Sequence, residues 1–191
     1  MMLMGTNAFA QMSVGAGYAN SKSNYAKDKD AANGFYVGFD YNVPIGNVFG
    51  LSAGVNYEWL TAKAYKLGPF SGALREQYLN APVRLNAGVN LGDAVRLKIY
   101  GGPVFSYGLS SYVDNSVSIG GFNGDKPSSD LYKDNGWNRF DVLVGGGLAL
   151  ELSQRIRLSA GYDWGMFNRL PEDSNDKITR NQLTAGLAFI F

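Results

Sequence analysis

Apolar residues recur at every second position along this chain, in runs much longer than the strands of soluble domains. In the first run Met12, Val14, Ala16 and Tyr18 alternate with Ser13, Gly15, Gly17 and Ala19. The second sets Phe35, Val37, Phe39, Tyr41 and Val43 against Tyr36, Gly38, Asp40 and Asn42, and the third sets Leu51, Ala53, Val55, Tyr57 and Trp59 against Ser52, Gly54, Asn56 and Glu58. A fourth opposes Leu79, Val83, Leu85 and Val89 to Asn80, Arg84, Asn86 and Asn90, and a fifth opposes Val95, Leu97, Ile99, Phe105 and Tyr107 to Arg96, Lys98, Tyr100 and Ser106. Three more follow over 140–152, 156–166 and 183–191. A period of two belongs to a strand with unlike faces, so the chain reads as all-β with about eight strands.

The runs extend over about 9–14 residues, where soluble strands have about 5–6 and a tilted strand needs roughly 9–11 to cross a bilayer. Their connections alternate in length. Short links fall at 44–47, 91–94 and 153–154, and long polar ones at 20–33, 60–77, 110–137 and 168–180. Short turns at one end and long loops at the other describe an eight-stranded antiparallel up-and-down transmembrane β-barrel of the outer membrane. The expected barrel covers 11–191 with no internal domain boundary. One face of the runs carries no charge across the strand centres, and the other carries Gly, Ser, Asn and isolated charges. A soluble ligand-binding barrel would have the apolar face inward, so the uncharged face is expected to meet lipid. Tyr18, Phe35, Trp59, Tyr107, Phe140 and Trp164 gather toward the loop side, and Tyr41, Phe49, Phe189 and Phe191 toward the turn side, as two interfacial aromatic girdles would.

Composition narrows the chemistry. The 191 residues include no cysteine and no histidine, so disulfides, thiolate nucleophiles and the commonest general base and metal ligand are all missing. Serine triads, Cys–His pairs and zinc-protease helices need those groups, and the chain is expected not to be an enzyme. No catalytic residue, metal site or cofactor is assigned. A formal charge of +1 leaves no basic excess to displace counterions from phosphates, which argues against nucleic acid as a partner. Ala8-Phe9-Ala10 before Gln11 has the small-x-small pattern of an export-signal cleavage site, and residues 1–10 are read as the remnant of a signal peptide.

The stretch Tyr78-Leu79-Asn80-Ala81-Pro82-Val83-Arg84-Leu85, followed by Tyr100-Gly101-Gly102-Pro103 and Ser106-Tyr107, resembles the signature of PorT-type outer-membrane β-barrel proteins of Gram-negative bacteria. Gly145-Gly146-Gly147-Leu148 with Glu151 and Leu152, and Leu158-Ser159-Ala160-Gly161-Tyr162, agree with it; Asn80 and Ala81 depart from the family's usual Glu and Ile. The resemblance implies a small barrel, some relatives of which belong to secretion machinery, and it specifies a fold family more than an activity. The last strand is similar to the assembly signal of outer-membrane barrels, with Thr184, Gly186, Phe189 and Phe191 in the expected places. That likeness implies the barrel-assembly machinery as a partner.

On the inward face the expected lumen charges are Asp40, Glu58, Arg84, Arg96, Lys98, Asp141, Glu151, Arg157 and Asp163. A barrel of eight strands is just wide enough to be filled by side chains, so these charges are expected to pair into a plug. The alternative is a narrow channel for ions or small solutes, with Arg84 and Asp163 as its mid-height constriction. Gly145-Gly146-Gly147 lies within a strand pattern and is read as close packing rather than a phosphate loop, and Asp173-Ser174-Asn175-Asp176 as a solvated loop rather than a calcium site. In 110–137 the residues Tyr112, Ile119, Phe122 and Tyr132 are candidate contacts, either on a hairpin that prolongs the flanking strands or as an aromatic surface for an unknown surface or secretion partner. The functional reading is a non-enzymatic barrel, structural or partner-binding, surrounded by outer-membrane lipid.

Overall fold

The computed structural model describes residues 10–23, 31–67, 70–119, 122–134, 136–170 and 177–191, of which 63–67, 70–72, 115–119, 122–129 and Asp134 are described by their backbone alone. The strands are β1 (Gln11–Ser23), β2 (Ala32–Ile45), β3 (Phe49–Leu67), β4 (Phe70–Asn90), β5 (Val95–Ile119), β6 (Phe122–Asp130), β7 (Phe140–Leu152), β8 (Ile156–Gly165) and β9 (Arg180–Ile190), with one short helix, α1 (Leu131–Asp134), after β6. All pairings are antiparallel. Neighbours run β4-β3-β2-β1-β9-β8-β7-β5, and β4 pairs with β5 to close the ring. The result is a closed eight-stranded barrel, with β6 outside the ring as an addition to β5. The seam joins β1 to β9 in the register Val14↔Phe189 and Gly17↔Gly186.

Burial is inverted relative to a water-soluble protein. Leu85 is 62% exposed and Ile99 57%, whereas Glu58 is fully buried and Arg180 is 1% exposed. The alternation in sequence therefore separates an apolar outer wall from a polar interior. Bands of aromatics border the outer wall: Phe35 and Trp59 are paired neighbours in edge-to-face contact at 5.6 Å, and Phe189 meets Phe191 at 5.3 Å.

Inside, two tyrosines lie on glycines of nearby strands. A methyl group on Gly147 or Gly161 would come within 2.6 or 2.5 Å of the Tyr100 hydroxyl, and one on Gly186 would collide with Tyr36. Gly145-Gly146-Gly147 lies in the middle of β7, opposite Tyr100, Gly101 and Gly102 of β5. It serves wall packing. At the turn end, Ser153 and Gln154 both hold a left-handed backbone (φ 50° and 57°), which reverses the chain within the three residues between the paired Leu152 and Ile156.

The segments 60–77 and 110–137 were expected as loops. In the structure most of each is strand. β3 and β4 stay paired up to Leu67↔Phe70, and β5 continues to Ile119, where it folds back on β6 with Ile119↔Phe122. The reason is physical: beyond the girdle the outer face meets water instead of lipid, so it carries polar residues like the inner face, and hydrophobic alternation vanishes from the sequence while backbone pairing persists. Arg75 and Asp114, on the outer face here, form an exposed ion pair at 3.0 Å.

This face assignment gives a direct prediction. Val55→Arg puts a charge on the lipid face and should cost about 2–4 kcal/mol if near the midplane, whereas Asn56→Arg turns into the lumen and should cost less. Urea titration of folding into lipid vesicles measures both, and equal losses would contradict the assignment.

Candidate functional site

The lumen holds three tiers of polar side chains, placed by strand parity. Near the turn end Glu151 of β7 stands opposite Arg157 of β8 and Arg96 of β5. Its Oε1 accepts from Lys98 Nζ at 2.7 Å and from Arg157 Nε at 2.9 Å. Arg157 Nη1 also donates to Ser13 Oγ at 3.3 Å, while Arg96 Nη2 donates to the Asn47 carbonyl at 3.0 Å.

At mid-height Arg84 Nη2 donates to both oxygens of Asp163 at 2.7 and 2.8 Å. Its Nη1 donates to the carbonyls of Gly102 and Gly145. Asp40 faces a cavity of about 140 Å³ around this pair, walled also by Tyr36, Asn42, Asn56 and Asn86. Such a space can hold a few waters.

The upper tier is the densest. Glu58 accepts from Asn80 Nδ2 at 2.7 Å, Gln182 Nε2 at 2.8 Å and Arg180 Nη1 at 3.5 Å. Arg180 Nη2 donates to Ser106 Oγ at 2.9 Å, and its guanidinium lies 3.9 Å from the centre of the Tyr78 ring. Above it Arg169, from the segment after β8, donates to Glu76 Oε1 at 3.0 Å and to the Tyr78 hydroxyl at 2.7 Å, and stacks over Trp137 at 5.2 Å. Tyr78 in turn donates to Glu76 at 2.6 Å. Glu76 lies beyond the lipid-facing stretch, since its neighbour Arg75 is on the outer face. Burial acts to raise its carboxyl, but Arg169 and the Tyr78 hydroxyl more than offset this and hold it below the usual carboxylate range.

All nine lumen charges named from the sequence sit on the inner face: Glu58, Arg84, Lys98, Asp141, Glu151 and Asp163 are buried, and Asp40, Arg96 and Arg157 half-buried. Asp141 lies in the upper tier, where the charges of Arg180 and Arg169 act on it. Sequence reasoning missed Glu76, Tyr78, Arg169 and Arg180 as members of the plug. The available signal was parity, because Glu76 and Tyr78 continue the inward series Asn80, Pro82, Arg84, and Arg180 continues Gln182 and Thr184.

On β9, Thr184 and Gly186 face inward, and Phe189, with Phe191 just after the strand, stands exposed at the turn end. Of the candidate contacts, Tyr112 is exposed on the outer face, and the side chains of Ile119 and Phe122 lie outside the described ones. Tyr132 is placed differently from the surface position expected: it is buried, packed on Gly108, with its hydroxyl 3.5 Å from Arg169 and the Arg139 guanidinium 4.7 Å from its ring centre. The turn of α1 directs it back over the barrel mouth, where a cation-rich layer needs aromatic faces. Asp173 to Asp176 and residues 1–9 lie outside the described residues. Among the described residues no three His, Cys, Asp or Glu side chains gather as metal ligands would.

The family model for the outer membrane protein beta-barrel domain matches residues 5–170. The chain belongs to that family. As an outer membrane protein beta-barrel it resides in the outer membrane. Its fold is similar to that of Ail, the attachment invasion locus protein of Yersinia pestis, solved in complex with the heparin analogue sucrose octasulfate: 16% identity, 95% of this chain and 99% of that one covered, TM-score 0.53. It is similar also to the outer membrane enzyme PagL, at 8% identity, with 94% and 98% covered and a TM-score of 0.52. No curated protein matches the chain.

Two outcomes are expected of this family member's plug. Arg180→Met strands Glu58 and should cost about 3–5 kcal/mol, much of it recovered by adding Glu58→Gln; unfolding from lipid vesicles measures the cycle. In planar bilayers the wild-type barrel should give no regular single-channel steps, and steps of constant size would mean that the tiers part.

Proposed function

We propose that the protein is a non-enzymatic surface-interaction barrel, whose contact element is the sheet that β3, β4, β5 and β6 raise outside the membrane. The observation that carries this reading is the order of that sheet: beyond the girdle β5 pairs with β4 on one side and β6 on the other, and β6 has no further strand beside it among the described residues. A strand at a sheet edge offers unpaired N–H and C=O groups to an extended segment of another protein. The usable edge spans 122–126, since the register shifts after Lys126 and Pro127 has no N–H to offer.

Other considerations support the same reading. A sequence without histidine disfavours the hydrolytic chemistry of outer-membrane enzymes, although PagL shares the fold. The three tiers disfavour a conducting pore and, with it, direct passage of a secreted substrate. The name of Ail refers to attachment, and that likeness is one of fold. The finer assignment to PorT-type barrels of Gram-negative bacteria rests on the Tyr78–Arg84 and Tyr100–Pro103 motifs. Delivery would use the export signal read in 1–10 and recognition of Thr184, Gly186, Phe189 and Phe191 by the assembly machinery.

The test is photo-crosslinking on intact cells from a reactive residue at Lys126. A defined external protein should be captured, and capture should be lost in either Asn123→Pro or Gly124→Pro, because one of those adjacent N–H groups points away from β5. Both variants should still assemble. Capture that survives both substitutions, or no capture at all, would end the proposal.

A further inference from the structure

A second surface lies lower, at the level of the outer girdle. Tyr107 of β5 and Phe140 of β7 stand opposite each other in register, and Phe167, just after β8, meets Phe140 with ring centres 6.3 Å apart. All three rings are exposed. With Trp137, Asn138 and Arg139 they wall a groove of about 480 Å³ on the outside of the barrel. The groove belongs to neither the lumen nor the upper sheet.

The polar groups in the groove are fixed and incompletely used. Arg139 Nη1 donates to the carbonyls of Gly108 and Leu109 at 3.2 and 3.1 Å, and one face of the guanidinium lies on Tyr132. Arg84, Arg157, Arg169 and Arg180 each have a carboxylate partner, but Arg139 has none among the described residues. Its remaining N–H groups form a rigid fork suited to a phosphate. Asn138 Nδ2 donates to the carbonyls of Asn168 and Leu170, both at 3.1 Å. This pins the segment that carries Phe167 and leaves Asn138 Oδ1 as an acceptor for a hydroxyl.

Position identifies the occupant. At girdle height outside a barrel the neighbours are lipid headgroups, and the outer leaflet of such a membrane is built from phosphorylated glycolipid. Aromatic faces suit the C–H faces of sugar rings, the cation suits the phosphate, and the exposed rings continue down into the acyl zone. We infer that this groove binds the phosphorylated sugar headgroup of an outer-leaflet glycolipid. The lipid is held as a ligand in one register, beyond its role as solvent.

The experiment is native mass spectrometry of the folded full chain in detergent, with diphosphoryl lipid A and phosphatidylglycerol added in equal amounts. Wild type should retain lipid A in preference, and dephosphorylated lipid A should lose that preference. Arg139→Gln should lower retention by about tenfold or more, the worth of a charged hydrogen-bonded contact. Phe167→Ser should weaken it too, and Arg155→Gln, in the turn at the opposite end, should leave it unchanged. Should Arg139→Gln fail to fold, Phe167→Ser decides, because its ring lies outside the barrel wall. No preference in wild type, equal retention of phosphorylated and dephosphorylated forms, or the same behaviour in Phe167→Ser and Arg155→Gln would overturn the site.

Discussion

Every backbone N–H and C=O that enters hydrocarbon must find its partner within the protein, since each one left unpaired costs several kcal/mol. The pairing of β4 with β5 and of β1 with β9 meets that demand by leaving the ring of eight strands without an edge. Much else follows from closure. Because the ring has an outside in lipid and an inside too narrow to be lipid, the two faces of every strand must differ, and period-two alternation is the sequence's way of writing that difference.

Closure also sets the interior problem. Polar side chains in a space barely wider than themselves must pair, hydrate or collide. The protein uses all three limits: ion pairs at Glu151, Asp163, Glu58 and Glu76, a small polar cavity beside Asp40, and glycine wherever Tyr36 or Tyr100 needs the room. A buried pair is a weak source of net stability, yet removing one partner is costly because the other charge is left unpaired. The same cations reach the outer mouth, where Arg169 and Arg139 order Trp137 and Tyr132 above the upper tier. The plug and the external groove thus share a wall.

The membrane-embedded part of this architecture was legible because lipid imposes a rule on each residue. Asp40, Glu58, Arg84 and Asp163 could be assigned to the lumen because each stands one place from a residue of the lipid-facing series, Phe39, Tyr57, Leu85 or Trp164. Legibility stopped at the girdle. Arg75 and Glu76 lie on opposite faces of β4, yet both are charged, so their alternation is silent in hydropathy although the strand continues. Arg169 and Tyr132 were beyond reach for another reason: they are delivered to the plug by the segment after β8 and by the short helix α1, whose placement depends on tertiary contacts. The groove at Arg139 combines residues from three separate stretches and leaves no local motif. The motif from Tyr78 to Leu85, by contrast, mixes wall residues such as Leu79 with lumen residues such as Asn80 and Arg84, which is why it reports a fold better than a function.

The seam between β1 and β9 has a kinetic consequence. Val14 and Phe189 become neighbours only when nearly the whole chain is present, so the contact that removes the last open edges has the longest sequence separation and the largest loop-closure entropy. Any partly built barrel carries two sticky margins, and the gain from sealing them arrives at the final step. Such a molecule has no stable half-product to accumulate. Its assembly is correspondingly all-or-none, and its vulnerable period is the interval before first and last strands meet.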